Sequence, residues 1–296
     1  MRALLLTLLA AVALALPASA PAAVALPSPV ACPGCWHPST HARWQYQLQA
    51  SPGFDATGGI DVDVSSAPKH GGAAVHPTVW DIDLYVDPKL EGNPTTRNTA
   101  AVDAIHARGG HAICYVSAGS WENWRGDADS FPASVKGKTN GWPGERWLDI
   151  RRIGILAPIM ERRVAACAQA GFDAVEWDNV DGYTNDTGFR LTPRDQLAYN
   201  VRLANMAHAH GLSVGLKNDL DQLAALKPYF DFAVNEQCFQ YDECAPGLRG
   251  WAASGKAVFS VEYRKTTFRC GLANRWNLST IHKSLNLYAR PWTPCR

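Results

Sequence analysis

The chain has 296 residues, 47 % of them apolar and 19 % charged, which describes an ordinary globular protein and excludes a disordered or fibrous one. Its formal net charge of +1 argues against a broad basic face for nucleic acid, and no nucleic-acid partner is expected.

The first residues stand apart. Arg2 precedes a stretch from Ala3 to Leu16 that is apolar except at Thr7, followed by Pro17, Ala18, Ser19 and Ala20. A run this short cannot span a bilayer of roughly 30 Å, so it predicts a removable secretory leader over residues 1–23, with cleavage after Ala20, Ala22 or Ala23. No later segment is apolar enough to span, so an exported, extracellular protein is expected, with no membrane partner once the leader is gone. Residues 24–42, rich in Pro, Ala and Ser, read as a linker or an N-terminal strap. Residues 43–296 read as one domain.

Within that domain, short apolar runs alternate with helical patterns. The runs cover residues 44–48, 78–85, 112–118, 174–178, 213–217, 232–236, 258–262 and 280–283; helical patterns cover 96–108, 155–170, 192–210, 219–226 and 248–254. Alternating strands and helices predict a parallel sheet covered on both faces. Eight such strands in about 250 residues favour a single-domain (β/α)₈ TIM barrel over an open sheet. No GxGxxG follows the first strand, which weakens a dinucleotide site. Glycines at 109–110, 171 and 211 precede strands, where they stop helices. Residues 119–149 form a long loop holding Trp121, Trp124, Trp142 and Trp147, and loops this long are usually functional.

A TIM barrel carries its site at the C-terminal ends of its strands. Reading those ends gives Gln45 and Gln47; Asp81, Asp83 and Tyr85; Tyr115 and Ser117; Glu176, Asp178 and Asn179; Lys217, Asn218 and Asp219; Asn235, Glu236 and Gln237; and Glu262 with Tyr263. Strand residues alternate faces, so Asp178 lies at the rim with Glu176 one layer deeper, and Asp81 and Asp83 pair likewise. Buried carboxylates are costly unless hydrogen-bonded or used. One such acid is often a structural clamp, but a concentration of them at one barrel end points to chemistry. No Gly-x-Ser-x-Gly elbow is present and no spaced His/Asp ligand set is visible; His208 and His210 fall on different helix faces. No cofactor or metal is therefore expected. Two acids without a cofactor fit glycoside hydrolysis, one protonating the leaving oxygen and the other acting at the anomeric carbon or on water. Trp121, Trp124, Tyr183, Phe239 and Tyr241 are candidates for stacking on sugar faces.

The eight cysteines behind a leader read as structural disulfides. The rival, zinc, has ligand spacing in Cys32-Pro-Gly-Cys35 but lacks a second close pair, since Cys238 and Cys244 are six apart.

Several motifs resemble glycoside hydrolase family 114. They are the stretches 175–183 (VEWDNVDGY), 215–219 (GLKND) and 235–244 (NEQCFQYDEC), with further matches at 44–48, 115–119 and 141–150. The resemblance spans roughly residues 44–283. It implies a TIM-barrel endo-hydrolase of α-1,4-linked galactosamine polymers, which are microbial exopolysaccharide and biofilm components, acting without a cofactor. By the resemblance the catalytic pair is Asp178, as nucleophile, and Glu236, as general acid/base, in a retaining mechanism. Substrate contacts are expected from Gln45, Asp81, Asp83, Tyr115, Ser117, Trp121, Glu176, Asn179, Asp181, Tyr183, Lys217, Asn218, Asp219, Gln237, Tyr241 and Glu262. The family usually has proline where Trp177 stands, a difference expected to change packing on the outer face. Cysteine placement accords with the resemblance and suggests the pairs Cys32–Cys35, Cys114–Cys167, Cys238–Cys244 and Cys270–Cys295. A monomer is expected. Asp81, Asp83, Glu176, Asp181, Asp219, Asp242, Glu243 and Glu262 would surround the cleft and favour a cationic, deacetylated polymer. A non-catalytic sugar-binding barrel, or a hydrolase of another α-linked glycan, are the alternatives.

Overall fold

The computed structural model describes residues 26–296; the expected leader, residues 1–23, lies outside the described residues. In chain order the elements are β1 (Trp44–Gln47), β2 (Val79–Asp83), α1 (Pro88–Glu91), α2 (Thr99–Ala107), β3 (His111–Ser117), β4 (Ser120–Glu122), β5 (Glu145–Trp147) and α3 (Ile153–Gln169). They continue with β6 (Ala174–Asp178), α4 (Pro193–Ala209), β7 (Ser213–Lys217), α5 (Leu223–Leu226), β8 (Phe232–Glu236), α6 (Gly247–Ala253), β9 (Val258–Glu262), α7 (Cys270–Arg275), β10 (Ser279–His282) and β11 (Thr293–Pro294).

One sheet of nine strands runs β1-β2-β3-β6-β7-β8-β9-β10-β11, parallel throughout except for the last antiparallel pairing. The eight parallel strands arrive in chain order, as expected for a (β/α)₈ architecture. The expectation of a closed barrel is met only in part, because no backbone ladder joins β1 to β10. Side chains bridge the seam instead. The Trp44 indole donates to the Ser279 carbonyl (2.7 Å), Lys283 Nζ donates to Gln45 Oε1 (2.6 Å), and the Trp292 indole donates to the Trp44 carbonyl (2.9 Å). The seam is thus filled by two indoles and a buried lysine where a strand pair would otherwise lie.

Strand alternation sorts the apolar residues into two cores. Trp44, Tyr46, Val79, Ile113, Ala174, Phe232, Val234, Phe259 and Val261 fill the concave side of the sheet. Trp80, Ile82, Cys114, Val175, Trp177, Val214 and Leu216 face the helices, packing with residues of α2, α3 and α4. Trp177 is fully buried in this outer layer, where its neighbour Asp178 is free to face inward. Gly215 is required inside, since a Cβ there would lie 2.4 Å from the Phe232 ring.

The cysteine sulfurs pair at bonding distance as Cys32–Cys35, Cys114–Cys167, Cys238–Cys244 and Cys270–Cys295. Cys114–Cys167 ties β3 to α3 across 53 residues of chain, and closing a loop of that length stabilises by about 4 kcal/mol on a chain-entropy account. Residues 26–40 cross the end of the sheet opposite the acidic strand ends. There Trp36 stacks on His111 at 4.4 Å, Asn205 brackets Ser28 and Val30, and Tyr229 donates to the Pro27 carbonyl.

The long loop 119–149 is not structureless: β4 and β5 pair within it as an antiparallel hairpin. Helices α1 and α7, absent from the expected pattern, are single short turns with too few residues to show a period.

Candidate active site

The C-terminal ends of β6, β7 and β8 bring together three charged side chains. Asp178, Lys217 and Glu236 each occupy the last position of their strand, with the side chain on the concave face. Lys217 Nζ lies 2.9 Å from Asp178 Oδ1, 2.9 Å from Glu236 Oε2 and 3.9 Å from Glu176 Oε1. The two carboxyl oxygens that share this ammonium are therefore at most twice 2.9 Å apart.

Hydroxyls complete the setting. Tyr115 donates to Asp178 Oδ2 (2.7 Å), Asn179 Nδ2 donates to the same oxygen (3.1 Å), and Tyr263 donates to Glu236 Oε1. Burial alone would raise Asp178, but the Lys217 ammonium and the Tyr115 hydroxyl outweigh it, so its carboxyl sits below the usual range. Burial would likewise lower Lys217, yet Asp178, Glu236 and Glu176 hold it well above the ordinary lysine value. The ammonium stays charged. Tyr46, Tyr115 and Tyr263 are pushed well up, by burial first and by the surrounding carboxylates second, and remain neutral donors.

Below this layer lies a second acidic pair. Glu176 and Asp81 are fully buried on neighbouring inner positions, and Tyr46 donates to Glu176 Oε1 at 3.4 Å. Burial and the facing carboxyl raise Asp81 well above its normal value, while burial lifts Glu176 to about 7. Burial first, and the surrounding carboxyls second, disfavour ionising both, so the pair keeps a proton near neutral pH.

The chain leaves each strand through a strained turn. Asn179, Asn218, Asp219 and Gln237 all have positive φ, between 45° and 62°. Left-handed backbone costs a non-glycine residue roughly 1 kcal/mol, least for Asn and Asp. Asn218 repays the geometry locally: its Oδ1 accepts from the Glu236 amide and from Asn235 Nδ2, both at 3.1 Å. Gly119 is needed beside this turn, since a Cβ there would sit 1.6 Å from the Asn179 carbonyl oxygen.

A cleft of about 340 Å³ opens over these groups, lined in part by Tyr46, Tyr115, Asp178, Lys217, Glu236 and Tyr263. Of the expected substrate contacts, Asp83, Asn179, Asp181 and Asn218 also line it, and Tyr183, Asp219, Gln237 and Tyr241 line an adjoining groove. Others are placed elsewhere. Gln45 and Glu262 lie on the outer face of their strands. Gln45 caps the seam, accepting from Lys283, and Glu262 accepts from the Phe239 amide (2.9 Å) and from Thr267 (2.6 Å), so it anchors the loop after β8. Tyr46 and Tyr263, one residue along, take the inward positions. Ser117 is buried beneath the rim, bonded to Ser120 and Asn179. Trp121 is engaged with the Ala128 carbonyl and sits under Lys136, leaving Trp124, Trp142 and Trp147 as the indoles that line the cleft. Phe239 is buried against Trp276.

The expected ring of acids is correspondingly thinner. Asp83 is held bidentately by Arg125 at 2.6 and 2.7 Å, and Arg125 also grips Glu122. Asp81, Glu176 and Glu262 are buried, and Asp242 faces Arg269. Asp181, Asp219 and Glu243 remain at the cleft and its groove, joined by Glu145, which was not anticipated. Arg125 and Glu145 stand in the long loop, where no strand end pointed to them. Among the described residues no cluster of His, Cys, Asp and Glu is arranged to hold a metal ion, and no helix is long and apolar enough to cross a membrane.

Comparison with known proteins bears on this geometry. The family model described as glycoside-hydrolase family GH114 matches residues 26–295. Among solved structures, that of Aspergillus fumigatus Ega3 in complex with galactosamine is 33 % identical, with a TM-score of 0.72, covering 86 % of this chain and 95 % of that one. The glycoside hydrolase domain of PelA from Pseudomonas aeruginosa shares the fold at 12 % identity, with a TM-score of 0.58, covering 85 % of this chain and 97 % of that one. No curated protein sequence matches the chain.

Proposed function

The chain belongs to glycoside-hydrolase family GH114, and from that premise we propose that it cleaves α-1,4-linked galactosamine-containing polysaccharide at internal linkages, with Asp178 and Glu236 as its working carboxyls. The observation that carries this reading is the placement of both acids on one ammonium, Lys217, at 2.9 Å each. Retaining glycosidases hold their two carboxyls about 5–5.5 Å apart, whereas inverting ones leave about 6.5–9.5 Å for a water. The Lys217 bridge holds the nearest oxygens no more than twice 2.9 Å apart, short of the spacing that inverting enzymes leave for a water, which favours retention.

The roles follow from the surroundings. Asp178, kept ionised by Lys217 and Tyr115, attacks the anomeric carbon. The bond from that carbon to the leaving oxygen breaks as Glu236 delivers a proton to the oxygen, and an Asp178 glycosyl ester forms. Water then attacks the same carbon, Glu236 takes its proton, and the ester opens to return ionised Asp178 and a sugar of the original α configuration. The galactosamine in the complex with Ega3 supports an amino-sugar polymer as substrate. The expected leader and the four cystine pairs support an exported enzyme.

The test is digestion of partially deacetylated α-1,4-galactosaminogalactan by wild type, Asp178→Asn and Glu236→Gln, following chain length and the anomer released. Wild type should shorten the polymer and release α ends first, while each variant loses most activity. Equal cutting by both variants refutes the pair; a first-released β end refutes retention; retention of polymer without shortening makes the protein a binder.

A further inference from the structure

The cleft over Asp178 and Glu236 continues in two directions, and the two arms differ in chemistry. One arm shares Asp181, Asn218 and Glu236 with the centre and runs out over Asp219, Tyr241 and Glu243. With Asp221 it has five acidic lining residues and, among the described residues, no Lys, Arg or His. The acids crowd one another. Asp181 is raised to about 6 by burial and then by the charge of Asp178, and Asp219 to about 7 by burial and then by Asp181.

An independent feature of the same arm asks for a donor. Asn235 is 1 % exposed and lines the groove. Its Nδ2 donates to Asn218, but its Oδ1 meets no hydrogen-bond donor among the described residues. An unsatisfied buried acceptor beside crowded carboxyls suits a group that carries donors and positive charge, and an ammonium has three donors and no acceptor. Tyr241, 59 % exposed, offers a ring face for the sugar that bears it.

The opposite arm shares Leu48, Asp83, Trp124 and Arg125 with the centre and continues over Tyr85, Val86, Asp87, Pro94 and Pro143, so it holds two acids, both of them engaged, against the five of the first arm. The charge of Asp83 is matched there by Arg125 in a two-bond pair. Trp124 and the prolines give it apolar walls, suited to the methyl of an acetamido group or the apolar face of a galactose ring.

We propose that the enzyme reads substrate charge asymmetrically about the point of cleavage. The arm of Asp181, Asn235, Asp219 and Glu243 takes a unit with a free ammonium, and the arm of Tyr85, Trp124 and Pro143 takes neutral galactose or N-acetylgalactosamine units. The proposal rests on the function proposed above and adds a direction to it. The enzyme cuts preferentially where a deacetylated stretch meets a neutral one, always in the same sense, so its products carry free amine predominantly at one of the two new ends.

The experiment digests a partially N-acetylated α-1,4-linked polymer in ¹⁸O-water, which labels each new reducing end, and sequences the products by tandem mass spectrometry. Free amine should be enriched about tenfold at one kind of new end over the other, equivalent to about 1.4 kcal/mol. Asp219→Asn combined with Glu243→Gln should erase that enrichment while still releasing products, and Trp124→Ala should instead broaden the units accepted on the other side. Cleavage with equal amine frequency at both new ends, or an enrichment that survives the double variant, overturns the proposal and leaves hydrolysis standing. No cleavage at all overturns the underlying function and this inference with it.

Discussion

Replacing Lys217 by Met removes the one ammonium that Asp178 and Glu236 share, and the structure sets the consequence. Lys217 is 3 % exposed, with contacts of 2.9 Å to each partner. Without it, two carboxylates within twice 2.9 Å face each other in a poorly solvated cleft. Unit charges about 5.5 Å apart at an effective dielectric of about 20 repel by about 3 kcal/mol, which disfavours ionising both carboxyls at once. Breaking a buried ion pair by removing one partner destabilises by about 3–5 kcal/mol. The pH dependence has a definite sign. In the wild type Asp178 is held below its ordinary value, so its contribution to stability is present above about pH 4 and disappears as pH falls through the folded value. In the variant the relation reverses. The folded pair prefers to hold a proton, and protonation at acid pH relieves the repulsion. The loss of melting temperature in Lys217→Met should therefore be larger at pH 8 than at pH 5, measured by circular dichroism at both. Activity should fall about 10²–10³-fold, as for loss of one preorganised charge, with the acid limb of the kcat profile moved to higher pH. An equal melting shift at both pH values, together with an unmoved acid limb, would refute the electrostatic role given to Lys217.

Three further outcomes are expected. Tyr115→Phe removes a hydroxyl that donates to Asp178 at 2.7 Å; a hydrogen bond to a charged group contributes about 1.5–3 kcal/mol, so kcat should fall about 10–150-fold with KM little changed. A rise in KM with kcat unchanged would show that the hydroxyl serves binding alone. Arg125→Ala leaves Asp83 and Glu122 buried without a counter-charge and should destabilise by about 3–5 kcal/mol, read as a lowered denaturant midpoint; a change below about 1 kcal/mol would mean the loop repacks freely. Glu176 is held up at about 7, so the folded protein binds the extra proton and stability falls as pH rises from the unfolded value of about 4.3 to about 7. Glu176→Gln should flatten the melting-temperature profile across that window, and an unchanged slope would place the proton elsewhere.

Much of the sheet could be read from the chain because its strands are buried on both faces. The runs at β6, β7, β8 and β9 are largely apolar, and each ends on a charged residue, so their bounds agree with expectation residue for residue. Strand alternation misleads where its phase has to be set from too few residues. On β1 and β9 the polar residues Gln45 and Glu262 attracted attention, but Tyr46 and Tyr263 hold the inward phase, since a tyrosine fills the inner layer with its ring and still delivers a hydroxyl to a carboxylate. Ser117 has the inward phase but lies under the Asn179 turn, a depth that alternation does not report. Arg125 could not be anticipated, because a loop residue acquires a partner only when the loop closes over the sheet.

The sequence by itself determined an alternating β/α chain and its acidic strand ends, while the pairing of its cysteines was suggested only through the family resemblance. Those properties depend on local period, on the cost of burying charge and on which faces a strand presents. Only the tertiary structure decided that one lysine lies between Asp178 and Glu236, that Asp83 is neutralised while Asp181 is not, and that side chains instead of a ladder bridge β1 and β10. Those facts are distances between residues far apart in the chain. Electrostatic energy falls with distance and rises with burial, so the chemistry of the carboxyls is settled by how the strands curl and not by the order of the letters.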